Sequence, residues 1–233
     1  MIVLPDGTKR RLKTTEMFFY LAFSVILNSL ANGLTIATHL GSAVWTASAV
    51  NLETQISWNL SLILLVYAIV VQILNVIIRR HIVWSLVLSN MLFALCFSYL
   101  VQAGNQLFTW IGVAQLAFGW RLMLDLIGIC FIATAVSIYQ RVNVMLHPND
   151  EFSYLLRFRF FHGNAALGQI VSYVIPVCIM GYCWLKSGQL HAVGIGTLFA
   201  LVCQGLIIGW ADRHVFARLQ HRFKQQKTGQ LSS

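Results

Sequence analysis

The sequence predicts an all-α polytopic membrane bundle of six transmembrane helices. Both termini face the cytoplasm, and short re-entrant or interfacial helices lie on the outer side. Three observations carry this reading. The 233 residues are 58% hydrophobic and only 10% charged, against roughly 25% charged in a soluble domain. A chain this apolar cannot cover a water-facing surface, and the same figures exclude intrinsic disorder. Six segments are apolar over roughly 20 residues, the length needed to cross a bilayer. Finally, the basic residues alternate between the segments in one sense only.

The spans fall at residues 17–37, 56–78, 82–103, 122–140, 165–185 and 192–211. Residues 1–16 form a basic cytoplasmic N-terminus, residues 17–211 the transmembrane domain, and residues 212–233 a basic cytoplasmic tail. With the N-terminus inside, the inner segments hold Lys9, Arg10, Arg11 and Lys13, then Arg79 and Arg80, then Arg141, Arg157 and Arg159. The tail adds Arg213, Arg218, Arg222, Lys224 and Lys227. Only Arg121 and Lys186 fall outside. This follows the positive-inside rule, and one missed helix would reverse every later sign. The net charge of +9 is therefore a topology signal and not a nucleic-acid footprint. The first basic cluster leads into a full-length span, so no cleavable signal peptide is expected.

Two shorter apolar stretches lie on the outer side. Residues 40–50, LGSAVWTASAV, follow the first span directly and open on a glycine turn. They form a re-entrant half-helix or a bent extension of that span. Residues 107–120, LFTWIGVAQLAFGW, are aromatic at both ends and read as an interfacial or re-entrant piece. Both are expected to cap a cavity opening outward. The one long cytoplasmic loop, residues 141–164, carries HPNDE before FSYLLRFRFFHGN. Pro148 halts the incoming helix, and Asn149 or Asp150 caps a new one. The spacing of Phe152, Leu155, Leu156 and Phe160 predicts a short amphipathic helix on the inner leaflet, or a docking surface for a cytoplasmic partner. No internal repeat stands out in the sequence, and a degenerate three-plus-three arrangement, common in transporters, stays open.

No catalytic constellation is present: no paired carboxylates, no nucleophile elbow, no HExxH and no phosphate-binding loop. No enzyme, cofactor or metal site is expected. The five cysteines sit inside apolar runs without CxxC or zinc spacing. Asp125 is the acidic residue nearest the membrane interior. Either it pairs with Arg121, one helical turn away, or it serves a solute or a proton. Asn28 and Asn32 lie one turn apart in the first span and must face protein or a wet cavity. His39 and Trp45 flank the Gly41 turn, and Trp45 is either an interfacial aromatic or a lining residue. Gln204 sits mid-span and also needs a partner. The candidate solute-lining set is Asn32, His39, Trp45, Asp125 and Gln204, shared among spans one, four and six.

The segment 33–52, GLTIATHLGSAVWTASAVNL, resembles the first conserved block of the YczE/YitT-like bacterial membrane proteins. QRVNVMLHPNDEF, FHGNAA and IGTLFALVCQGLIIG also look like that group, and the likeness runs over residues 20–212. Where those proteins often carry Pro-Trp-Asp, this chain has Val44-Trp45-Thr46 and lacks the acid. The resemblance implies a small multi-pass permease of the bacterial cytoplasmic membrane, and Asp125 falls where such proteins tend to carry an intramembrane Asp. The architecture alone is also similar to the substrate-binding subunits of energy-coupling factor transporters, which work with ATPase subunits. The expected function is binding and movement of a small solute, by a lone permease, by a homodimer, or with ATPase partners coupling through residues 141–164. The alternative is a membrane scaffold or regulator that engages a cytoplasmic partner through that loop.

Overall fold

A computed structural model describes residues 2–3 and 8–221. Arg222, Lys224 and Lys227 of the predicted tail lie outside the described residues. The helices are α1 (Thr14–Ala37), α2 (Val44–Glu53), α3 (Leu60–Arg79), α4 (Trp84–Trp110), α5 (Phe118–Val142), α6 (Pro148–Arg159), α7 (Ala165–Ser172), α8 (Val174–Ser187) and α9 (Ile195–His214). Six spans follow: α1, α3, α4, α5, the α7–α8 pair and α9. Apolar side chains such as Phe18, Ile73, Leu88 and Leu198 stand exposed along them, as a lipid-facing surface requires. The terminal segments meet at one end, where Ile2 bridges to Leu219. An even number of spans demands that arrangement.

Local chemistry sets the boundaries. Asn59 and Asn164 each cap a helix, their side chains accepting from Leu62 N–H and Leu167 N–H. Glu16 accepts from the Lys13 N–H at the start of α1. The fifth span breaks at Tyr173. Pro176 lies four residues after Ser172, and it has no N–H to offer that carbonyl.

The fold is two copies of one unit. Adding 104 to the first residue of α1 gives that of α5, and adding 104 to the first residue of α2 gives that of α6. α3 and the α7–α8 pair start 105 residues apart. The packing repeats too. α4 packs on α1 as α9 packs on α5, and α3 on α4 as α7 on α9. α6 packs on α3 as α2 packs on α8. Each unit holds three spans, so the second is inverted in the membrane relative to the first. α1 and α5 cross at the centre and run antiparallel, since Thr38 meets Asp125 while Asn28 meets Tyr139. Close approach replaces hydrophobic driving force between spans. A Cβ on Gly33 would lie 2.5 Å from the Asn105 backbone nitrogen.

The two outer stretches part company. Residues 40–50 do supply a re-entrant half-helix, α2, which is buried from Val44 to Ala49. Residues 107–120 do not form a separate helix or a lid. They are the last turn of α4, a 3-10 turn at Val113–Gln115 and the first turn of α5. Trp110, Ile111, Phe118 and Trp120 are exposed there, as aromatic and apolar groups at a membrane interface are.

The 141–164 loop also departs from expectation. α6 does not lie on the leaflet: eight of its twelve residues are buried. Its charges are paired inward. Glu151 accepts from Asn90 Nδ2 at 2.6 Å and pairs with Arg79, and Arg157 meets Asp212 at 2.9 Å. A helix with these partners is a second re-entrant half-helix.

Candidate functional site

Each half-helix enters the bundle by its N-terminus. His39 takes a left-handed conformation (φ 55°) just after α1, and Asn143 does the same (φ 50°) after α5, at the other end of the bundle. Four residues later each half-helix begins, with Ala43 at the N-cap position of α2 and His147 at that of α6, where only His147 offers a side-chain acceptor. The turn before α2 is stitched to the start of α9. Leu40 C=O accepts from Gly196 N–H at 3.2 Å, and Ser42 N–H donates to Ala192 C=O at 3.0 Å. Gly41 has φ 137°, and a Cβ there would lie 2.5 Å from Thr197 N. Only glycine suits that position.

The C-termini of the half-helices sit at opposite ends of the bundle. Asn51 of α2 bonds to His191 in the turn before α9. Arg159 of α6 bonds to Ile78 C=O at the end of α3. Their N-termini point inward and meet at one cavity of about 30 Å³, enough for about two water molecules. Ala43, Trp45 and Thr46 line it from α2, and His147, Asn149 and Asp150 from α6. Asn28 and Asn32 of α1 and Gln204 of α9 complete the polar wall, with Gln169 and Tyr173 at the break in span five.

A hydrogen-bonded chain joins the two half-helices. The Thr46 hydroxyl donates to Asn32 Oδ1 at 2.6 Å, and Asn32 Nδ2 donates to Asn28 Oδ1 at 3.0 Å. Asn28 Nδ2 donates to the Tyr139 hydroxyl at 3.2 Å, which donates to Asp150 Oδ2 at 2.5 Å. The opposite wall is likewise paired: Gln169 Nε2 donates to Tyr173, and Tyr173 to Gln204 Oε1.

Three residues that line the cavity each hold a buried polar atom with no hydrogen-bond partner among the described residues: Trp45 Nε1, His147 Nε2 and Asn149 Oδ1. They are only 7%, 2% and 4% exposed. His147 Nδ1 accepts from the Asn149 N–H at 3.3 Å. That fixes the neutral tautomer and leaves the proton on Nε2, so both orphaned nitrogens are donors. Buried polar groups are nearly always paired, and a space that holds about two water molecules gives these residues room for water or a small guest as partner.

Of the five predicted lining residues, Asn32, Trp45 and Gln204 come together here. Trp45 is no interfacial aromatic: the other six tryptophans are exposed near span ends, while Trp45 is buried against Tyr67. His39 is exposed on the left-handed turn and does not line the cavity. Asp125 is fully buried but lies at the outer clamp, not in the cavity. It does not pair with Arg121. Its Oδ1 accepts from Thr38 Oγ1 at 2.9 Å, while Arg121 Nε donates to Thr38 C=O. Asp125 therefore holds the turn that aims α2. Sequence reasoning missed His147, Asn149 and Asp150 as lining residues. The signal available was the repeat spacing, which sets Pro148-Asn149-Asp150 opposite Val44-Trp45-Thr46.

A second polar cluster closes the basic end. Asp212 accepts from Ser137, Arg157 and His221 at 2.7–2.9 Å. Arg141, wholly buried, donates to the carbonyls of Ser137, Phe216 and Leu219.

No curated protein and no solved structure matches the chain. A family profile described as a family of unknown function, DUF6198, matches residues 15–213 and so takes in all six spans and both half-helices. This multi-pass helical membrane protein belongs to the DUF6198 family.

Proposed function

We propose that the chain is a permease of the bacterial cytoplasmic membrane that binds a small solute in the central cavity and works without ATPase subunits. The observation that carries this reading is the convergence of two re-entrant half-helix N-termini, one from each side, on one polar cavity with orphaned groups. In inverted-repeat transporters the solute site lies where discontinuous helices meet, and one repeat rocks against the other around it. Two equivalent halves supply a gate on each side, as alternating access requires. The likeness of residues 33–52 to the YczE/YitT-like permeases agrees with this. Burial of most of α6 supports this reading over a scaffold role or ATPase coupling through residues 141–164.

The test does not require the solute to be known. In a variant lacking the five native cysteines, Thr46→Cys is reconstituted in liposomes and treated with a membrane-impermeant thiol reagent from one side at a time. A permease exposes Thr46→Cys to both sides in turn, so each side labels it. Labelling from one side alone, or from neither, overturns the proposal. Copurification of nucleotide-hydrolysing subunits overturns its lone-permease form.

A further inference from the structure

We infer that the α2 end of the cavity binds a small monovalent anion, held by the uncapped N-terminus of α2, the indole N–H of Trp45 and the imidazole N–H of His147. This rests on the cavity reading above and names the solute class.

The two half-helices are equivalent in position and differ in charge. α6 carries Asp150 and Glu151 in its first turn and is capped by His147. Its positive end is already met by acid. α2 has no acidic residue in its first turn and no side-chain cap, because Ala43 has nothing to offer. The first N–H groups of a helix point outward, and their summed dipole amounts to roughly half a positive charge. In α2 this end is left uncompensated where Asp150 has Thr46 as its counterpart. Such an end selects negative charge.

A helix N-terminus alone would not make a site. The second observation is independent: Trp45 and His147, one from each half-helix, line the same space, and Trp45 Nε1 and His147 Nε2 are both buried donors without acceptors among the described residues. Donors reject cations. A neutral acceptor would satisfy them but gain nothing from the α2 dipole. Among the described residues no Lys or Arg lines the cavity, so the positive field comes from backbone. Asp150 is the one carboxylate in the lining, and its Oδ2 is occupied by the Tyr139 hydroxyl. Glu151 is held away by Asn75, Asn90 and Arg79. The Asn149 carboxamide can turn its NH2 group toward an anion. A volume of about 30 Å³ restricts the guest to a few heavy atoms, the size of formate or nitrate.

The experiment is thermal unfolding of the full chain in detergent, titrated with sodium formate or sodium nitrate at constant ionic strength. Sodium gluconate, too large to enter, serves as balancing salt, and formamide as the uncharged match for formate. Formate and nitrate are expected to raise the unfolding midpoint saturably, and formamide to leave it unchanged. Thr46→Asp sets a carboxylate where α6 has Asp150 and fills the α2 N-terminus, so its anion response is lost. Thr46→Ser keeps it. Trp45→Phe keeps the ring against Tyr67 and weakens anion binding by about tenfold, the effect of removing one good hydrogen bond. Far-UV circular dichroism checks folding, and should Thr46→Asp fail to fold, Trp45→Phe against Thr46→Ser decides. No saturable response to either anion, an equal response to formamide, or an unaltered titration in Trp45→Phe overturns the inference. With Thr46→Cys reachable from both sides, those results overturn the anion class and leave the permease reading standing.

Discussion

Thr46 and Asp150 hold the same place in two half-helices, the third residue of each, and four hydrogen bonds running through Asn32, Asn28 and Tyr139 join them. Each bond donates in the same direction, from Thr46 toward Asp150. One repeat ends the chain in a hydroxyl and the other in a carboxylate, so the two halves share a frame and differ in polarity at its centre. Bonds linked in this way polarise one another in a low-dielectric interior.

The chain should behave as one unit. Thr46→Val and Tyr139→Phe are expected to be non-additive in unfolding free energy, with a coupling of about 0.5–3 kcal/mol. A double-mutant cycle read by reversible unfolding in detergent checks this. Simple additivity would mean that the two ends are independent.

Asp212 neutralises the basic end. Asp212→Asn leaves Arg141 and Arg157 buried without their carboxylate, and removing one partner of a buried pair costs about 3–5 kcal/mol. The expected result is a large fall in thermal stability. An unfolding midpoint equal to wild type would show that other groups carry the charge.

Asp125 acts as a clamp and not as a lining group. Asp125→Asn keeps an acceptor for Thr38 and should leave labelling of Thr46→Cys unaltered. Asp125→Ala loses that bond, at about 0.5–1.5 kcal/mol, and frees the turn ahead of α2. Loss of labelling in Asp125→Asn would return the carboxylate to a direct role.

Helix contact through Gly33 is tight enough that one methyl group matters. Gly33→Ala sets a Cβ 2.5 Å from the α4 backbone and should cost about 1–3 kcal/mol as overpacking. Gly181→Ala meets nothing within 4 Å and should be neutral or slightly stabilising. Melting curves for the pair make the comparison.

The inverted repeat predicts opposite exposure of equivalent turns. Ser57 and His162 are both exposed, one before α3 and one before α7. Ser57→Cys should label from outside intact cells only and His162→Cys only after permeabilisation. Labelling of both from the same side would contradict the inversion.

Much of this architecture was legible in the amino-acid order. Apolar runs of spanning length specify six crossings, because lipid leaves a chain few other choices. Asn32 and Gln204 were legible as inward-facing because polar groups in an apolar span need company, and Trp45 was legible only as one of two alternatives beside the Gly41 turn. The half-helix character of α6 was not legible: Glu151 and Arg157 look like surface charges until Arg79 and Asp212, 72 and 55 residues away, are folded onto them. Nor was the separation of Asp125 from the cavity, since Arg121 is its neighbour along the helix while Thr38 is its neighbour in space. Hydropathy and charge act through the solvent and can be read along the chain. Pairing inside the bundle depends on which helices touch, and only the packed structure decides that.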